Sequence, residues 1–478
     1  MKSSPLGRLS AAAVGVAALS LLLGACGSSG PVVPPERVDR QDVAFKGCDK
    51  IACTGELNGA KYEIVLPKKW NGTLLLYSHG FRQAQPSPPD FEAVDTTAEP
   101  APGWPVNKDV GQSLLEQGYA LAGSAYATNG WAVADGVKAD EDLHAFFVQQ
   151  VGAPDRTLAW GDSLGGLITT VLSEKHPDWV AGSAPLCGVV GGPNLNLDLA
   201  LDEAFAIKAL IYPGLKLTGY ASADEAIANW VAAAKAIKAA GSDVTKGVPK
   251  ILMIAALVDS PGQSQDQDGS SITSKVIADA EASLTALGYG TFGRYDIEQR
   301  VGGNPSQNSG VDYSPRVSGA ERALIEAISP GATDAMLAQL AAAPRITADA
   351  AARDKFAATG TPTGAISRPM ITMHTAADPL VLVQNEQVYQ TEVRAKNGAG
   401  DLIQLYTVAP ASYPAKPGAP YGAGHCNFTA QSRIAVVDLL DNWVRNGVYP
   451  GQGAIVAAMG DSSGYQAAYA PPPWPAAS

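Results

Sequence analysis

The chain has 478 residues, 46% of them hydrophobic and 17% charged, with 34 basic against 46 acidic side chains. At roughly 150 residues per domain that length holds two or three domains, or one large domain with an insertion; its apolar content is too high for disorder or a disulfide-stapled mini-fold. A net charge of −12 opposes a nucleic-acid partner, which needs a basic face to displace counterions from phosphate.

The first 30 residues differ from the rest. Lys2 and Arg8 precede an apolar run of 13 residues, Ala11 to Leu23. A bilayer span needs about 20, so the run reads as the core of a signal peptide. It ends in Leu23-Gly24-Ala25-Cys26, which resembles the lipobox of bacterial lipoproteins. The resemblance implies cleavage after residue 25, acylation of Cys26 (palmitate being the usual chain), export, and attachment to the cell membrane. Residues 26–40, rich in Gly, Ser and Pro, would form a flexible tether. With Cys26 acylated, Cys48, Cys53, Cys187 and Cys426 remain, an even number that suits an oxidising compartment. Four thiols allow three pairings. Cys48 and Cys53 are near enough for a local clip, which would leave Cys187 with Cys426. No His pair stands at zinc-ligand spacing beside these thiols, so no metal is expected.

Strand-like and helix-like segments then alternate. Tyr62 to Leu66, Thr73 to Tyr77, Ala120 to Ala125, Thr157 to Trp160 and Ala181 to Leu186 are short apolar runs. Between them, Ser113 to Gly118 ends a helix, Ala139 to Val151 has a 3.6-residue apolar repeat, and Leu164 to Lys175 is helical. Such alternation predicts an α/β fold with a mostly parallel sheet covered on both faces. Residues 41–192 form this first part. From 193 to 364 the signals are mainly helical: a capping box at Ser222–Glu225 opening a helix closed by Gly241, then Ser274 to Leu287 and Thr333 to Ala343. The polar loop Val301 to Val317 lies between the last two. Strand character returns at Pro369 to Thr375 and Leu402 to Val408, followed by a helix from Ala430 to Arg445. The parse is one α/β domain, 41–192 plus 365–450, interrupted by a helical cap. The proline-rich tail, 451–478, is expected to be disordered or draped on the surface.

The chemistry centres on Gly161-Asp162-Ser163-Leu164-Gly165, placed between a strand and a helix. A strand turning sharply into a helix holds its middle residue strained and exposed above the sheet, and small residues on either side avoid backbone clashes. The hydroxyl of Ser163 would sit at a helix N-terminus, where free N–H groups favour developing negative charge.

At these residues the sequence resembles the α/β-hydrolase superfamily, in which the nucleophile, acid and base follow in chain order. Ser78-His79-Gly80-Phe81 after an early strand is similar to that family's oxyanion loop, which implies Phe81 and Leu164 N–H groups as the oxyanion donors and His79 as a brace. Asp378, in the turn after the Pro369–Thr375 strand, matches the acid, and His425, in the Gly-rich loop before the last helix, matches the base. His374 is expected to pack at the strand end, and His144 and His176 to lie on solvated helix faces. His425-Cys426 is also similar to tannase and feruloyl-esterase-like enzymes, where a disulfide joins the neighbours of nucleophile and base; here Asp162 stands where that pattern has Cys. Cys187 closes the strand after the nucleophile helix, so it could hold the His425 loop from another direction. The whole is similar to exported hydrolases loosely described as prolyl-oligopeptidase-like, without their β-propeller repeats.

These resemblances imply a serine hydrolase for carboxylic esters, acting on a small-molecule, lipid or polymer substrate. Peptidase or amidase, envelope acyltransferase and non-catalytic binding lipoprotein are the alternatives. The cap, the Val301–Val317 loop and the segment carrying Tyr126, Asn129 and Trp131 are expected to shape the pocket. No cofactor is expected. Asp266-Gln267-Asp268-Gly269 has Lys275 where a calcium loop needs its bidentate acid, and Gly188 to Gly192 lacks the spacing of a dinucleotide fingerprint.

Overall fold

The core of the fold is a set of strands with no polar face. β3 (Thr73–Ser78) is buried along its whole length, as are β4 (Ala120–Ser124) and β7 (Met370–Thr375). Strands that read as unbroken apolar runs suit a parallel sheet covered on both sides. The computed structural model describes residues 52–396, 398–413 and 421–475. Its sheet has eight strands in the order β1-β2-β4-β3-β5-β6-β7-β8, where β1 is Ala52–Leu57, β2 Ala60–Val65, β5 Arg156–Asp162, β6 Val180–Leu186 and β8 Leu402–Thr407. All neighbours from β4 to β8 pair in parallel, and β1 and β2 are antiparallel. This is the α/β-hydrolase strand order, and the α/β class expected from the alternation of segments is the one observed.

Side chains of β3 point alternately to the two faces. Leu74 and Leu76 pack with the helices Val133–Gln150 and Leu164–Lys175. Leu75 and Tyr77 pack with Asp109–Glu116 and Ala430–Asn446. On the second face a buried ion cluster joins sequence-distant elements. Asp441, fully buried, accepts from Arg156 Nε at 2.8 Å, Arg445 Nη2 at 2.7 Å and Tyr119 Oη at 3.2 Å.

Eight helices between Pro193 and Ala358 lie, in sequence, between β6 and β7. They enclose an apolar cluster of their own that includes Phe205, Ile237, Ile251 and Leu340. The helix Val248–Leu257 carried no amphipathic signal because it is apolar on every side, and all its residues but Lys250 are buried. Ser222 accepts from the Glu225 N–H at 3.1 Å, but the Glu225 carboxylate turns to the Ala221 N–H at 2.6 Å. Half of the expected box is formed there; Ser318 and Glu321 form a complete one.

The described part of the tail, 451–475, lies on the surface of the domain: Gln452–Met459 is a helix with Ile455 and Met459 buried, and Tyr465 bridges to Thr407 of β8. An antiparallel hairpin, β1–β2, adds a strand ahead of Tyr62 and turns at Asn58-Gly59, whose positive φ values of 50° and 85° fit its two-residue turn. Among the described residues no helix is long and apolar enough to cross a membrane. The signal segment, Cys26 and Cys48 lie outside the described residues.

The Asp441 cluster yields a stability test. Asp441→Ala leaves two arginines without their buried counter-charge, so urea unfolding should show a loss of about 3 kcal/mol. An unchanged midpoint would mean that the cluster contributes nothing net.

Candidate active site

The elbow is built by close packing against β3. A Cβ on Gly165 would lie 1.9 Å from the Ser78 carbonyl oxygen, and one on Gly161 would lie 2.5 Å from it. Only glycine permits that approach. The strand β5 therefore bends directly into the helix Leu164–Lys175, and Ser163 is held at φ 60°, ψ −121°. That left-handed, strained conformation carries its side chain above the carboxyl edge of the sheet.

Asp378 and His425 come to the same edge from later in the chain. Asp378 follows β7, and its Oδ1 accepts the Leu380 and Val381 N–H groups at 2.9 Å each. Its Oδ2 lies 2.7 Å from His425 Nδ1, and His425 Nε2 lies 2.7 Å from Ser163 Oγ. A carboxylate can only accept, so Nδ1 carries the proton and Nε2 is free to take one from the hydroxyl. Asp378 is fully buried; burial raises its pKa, but the His425 and His374 rings outweigh that and hold the carboxyl well below the usual range.

His374 does more than pack at the strand end. It is fully buried, with Nδ1 3.3 Å from Glu386 Oε1 and Nε2 3.5 Å from Asp378 Oδ2. Burial disfavours its charge, yet the two carboxylates prevail and lift it to about 10. A buried cation thus backs the acid. The sequence signal was the four-residue spacing of His374 and Asp378, ambiguous without the turn that brings them together.

His79 is the opposite case. Burial, reinforced by the Arg82 charge, lowers it to about 3, so its ring is neutral. Nδ1 donates to the Gly80 carbonyl at 2.7 Å, and Tyr126 stacks on the ring at 4.0 Å while donating to the His79 carbonyl at 3.0 Å. These bonds brace the turn that runs past Ser163. A Cβ on Gly80 would be 3.2 Å from the Ser163 Cβ, and Phe81, Ser163 and Leu164 line one cavity.

The His425 loop is tied down three times. Cys187 and Cys426 form a disulfide with Cα atoms 5.5 Å apart. Gly424 donates to Ala377 O at 2.9 Å, and Thr375 Oγ1 donates to Gly424 O at 2.9 Å. Arg433 Nη1 reaches both oxygens of Asp162 at 2.6 and 2.5 Å, and its Nη2 donates to Cys426 O at 3.0 Å. Asp162, where the tannase-like pattern has cysteine, therefore joins the Ser163 elbow to the His425 loop through an ion pair. Cys53 is disulfide-bonded too. Cys187, His425 and Cys426 are close enough to suggest a metal group, but the two sulfurs are spent on each other.

Above Ser163 the cap leaves a cavity of about 870 Å³ including its open mouth. Its walls are the helices Pro193–Leu210 and Ile272–Gly288, the π-helical turn Tyr289–Gly293 and the segment 379–382. Of the three pocket candidates only Trp131 lines it. Tyr126 is under the turn at His79 and Gly80, and Asn129 Nδ2 donates to Gln83 O and Asp95 O at 3.2 and 2.8 Å, tying a surface loop. The loop from Val301 to Val317 turns inward on the cap instead: Tyr313 donates to buried Asp202 at 2.7 Å. His144 is not simply solvated, since its ring stacks on Trp179 at 4.1 Å. His176 bonds Glu141 at 2.8 Å.

No family model matches the chain. An o-phthalyl amidase of Xanthobacter agilis is 25% identical over 157 residues, 32% of this chain and 30% of that protein. The match thus spans under a third of the relative. Among solved structures, an esterase from Aspergillus oryzae matches at 13% identity and TM-score 0.39, over 84% of this chain and 80% of its own. A proline iminopeptidase of Mycobacterium smegmatis matches at 11% and 0.35, over 83% and 100%. The rice cell wall degrading esterase of Xanthomonas oryzae does so at 12% and 0.33, over 73% and 78%.

If the disulfide sets the position of His425, its reduction, or Cys426→Ser, should slow fluorophosphonate labelling of Ser163. A displacement of about 1 Å can cost roughly 100-fold. Labelling at the original rate with both thiols free would assign the disulfide to stability alone. The chain has the α/β-hydrolase fold, with Ser163, His425 and Asp378 in line at the carboxyl edge of its sheet.

Proposed function

We propose that this protein is a serine hydrolase cleaving carboxylic esters, with Ser163 as nucleophile, His425 as base and Asp378 as the group that orients it. The observation that carries the reading is the continuous Ser163–His425–Asp378 hydrogen-bond line, whose serine lines a largely apolar cavity. As Oγ bonds the acyl carbon, its proton passes to His425 Nε2. The carbonyl oxygen becomes an oxyanion, accepting from the Phe81 and Leu164 N–H groups. Collapse expels the alcohol, which takes the proton from Nε2, and water repeats the sequence to free the acid. Asp378, held ionised, stabilises the imidazolium in both halves.

Ser163→Ala should lower ester turnover on the order of 10³-fold or more while the fold persists. A folded variant that keeps its rate would overturn the mechanism. Paired p-nitrophenyl ester and p-nitroanilide substrates read ester against amide preference, and faster amide cleavage would move the reading to an amidase or peptidase. Transfer to an added alcohol outrunning hydrolysis would move it to an acyltransferase. Absence of fluorophosphonate labelling would leave a binding protein.

The lipobox-like Leu23–Cys26 segment supports a second part of the proposal: export and membrane attachment through acylated Cys26. Cys26→Ser should shift the protein from the membrane fraction to the soluble one. Unaltered fractionation would point to another attachment.

A further inference from the structure

The helix Pro193–Leu210 turns Asn196, Ala200 and Glu203 toward the cavity over Ser163. These positions follow the i, i+4, i+7 repeat of one helix face. Seven residues at 1.5 Å rise set Glu203 about 10 Å along the axis from Asn196. Glu203 is 4% exposed and is the sole charged residue on the cavity wall, which has no Lys or Arg. Most of the wall is aliphatic.

A buried carboxyl in such a place needs a partner. The neighbouring acid Asp279 has one, Lys275 Nζ at 3.1 Å. Glu203 meets the hydroxyl of Ser283, while burial foremost, and Asp279 in addition, push its carboxyl up to about 8. Of these two buried acids, Asp279 has a cation beside it and Glu203 has a neutral hydroxyl. A second polar group is open on the same wall: Ser260 Oγ is buried and has no hydrogen-bond partner. Oγ and carboxyl together offer acceptors to a donor that carries positive charge.

We infer that the cavity takes an acyl group with an apolar body ending in an amine, held as an ammonium by Glu203 and Ser260. This rests on the hydrolase reading above and names its substrate class. An alkyl end would leave the Ser260 hydroxyl unpaired and the carboxyl with the Ser283 hydroxyl alone, and a carboxylate end would add a second acid to a wall that has no Lys or Arg. An amine arriving neutral takes the proton of the Glu203 carboxyl, and one arriving charged displaces that proton to water. Either route ends in the same ammonium–carboxylate pair, a charge-assisted bond of the stronger kind.

The test compares p-nitrophenyl esters of ε-aminocaproate, n-heptanoate and adipate, matched in length but ending in ammonium, methyl and carboxylate. The wild-type protein should favour the amino ester over the heptanoate in kcat/KM by roughly 10-fold or more, the scale of one charge-assisted hydrogen bond, and should turn over the adipate least. In Glu203→Gln that ratio should fall towards unity. Because it is a ratio within one preparation, partial misfolding of the variant leaves it readable. Preference for the heptanoate or adipate in the wild type, or an amino preference surviving in Glu203→Gln, would overturn the inference. Should none of the esters react, the hydrolase reading fails instead; calorimetry with n-hexylamine against n-hexanol then decides the ammonium site alone. Binding of the amine lost in Glu203→Gln supports it, and equal binding of amine and alcohol removes it.

Discussion

Everything at the carboxyl edge of the sheet depends on holding one glycine-rich loop in place. His425 meets Ser163 across 262 residues of chain, and a loop with glycines at 422 and 424 has little rigidity of its own. Three different interactions supply it: a disulfide to the end of β6, backbone and hydroxyl bonds to the turn after β7, and the Asp162–Arg433 ion pair. Each ties the loop to a strand that is itself buried on both faces. The positional precision of His425 is therefore inherited from the sheet.

Electrostatics around the site sorts two buried histidines into opposite states. His79 faces carbonyls and the Arg82 charge, and burial leaves it neutral. His374 is enclosed by two carboxylates, which keep it charged despite the same burial. Each state suits its place. A neutral ring can brace a turn by donating one N–H, whereas a cation behind Asp378 keeps that acid ionised. The Glu386 carboxylate that helps fix His374 is itself bound by Thr372 Oγ1 at 2.6 Å and Gln404 Nε2 at 2.8 Å, so the buried charges form a satisfied chain.

The cap has an apolar core separate from that of the sheet, so its shape answers to its own packing. That explains why the loop from Val301 to Val317 fills the cap and why the cavity is lined by helical faces. Glu203 is the one acid on those faces, and it gives the wall of the cavity over Ser163 a polar group.

Much of this was legible in the residues themselves. Unbroken apolar runs alternating with 3.6-residue repeats determine a parallel α/β sheet, since both patterns record burial on specific faces. Glycines at 161 and 165 around Ser163 reflect a close approach that excludes any side chain. The order of Ser163, Asp378 and His425 was readable for the same reason: each occupies a turn with its own local signature. Other features had no such signature. The helix Val248–Leu257 has no polar side, and a periodic reading cannot see it. Tyr126 and Asn129 sit close in sequence to Trp131, but only the path of the chain decided that one wall residue faces the cavity while its neighbours brace loops. Asp162–Arg433, His374–Glu386 and the Asp441 cluster join residues brought together by the sheet order. A sequence records which groups must be buried or bent; which buried charges meet is decided by tertiary packing, because Coulomb and hydrogen-bond energies depend on distances in space that chain spacing does not set.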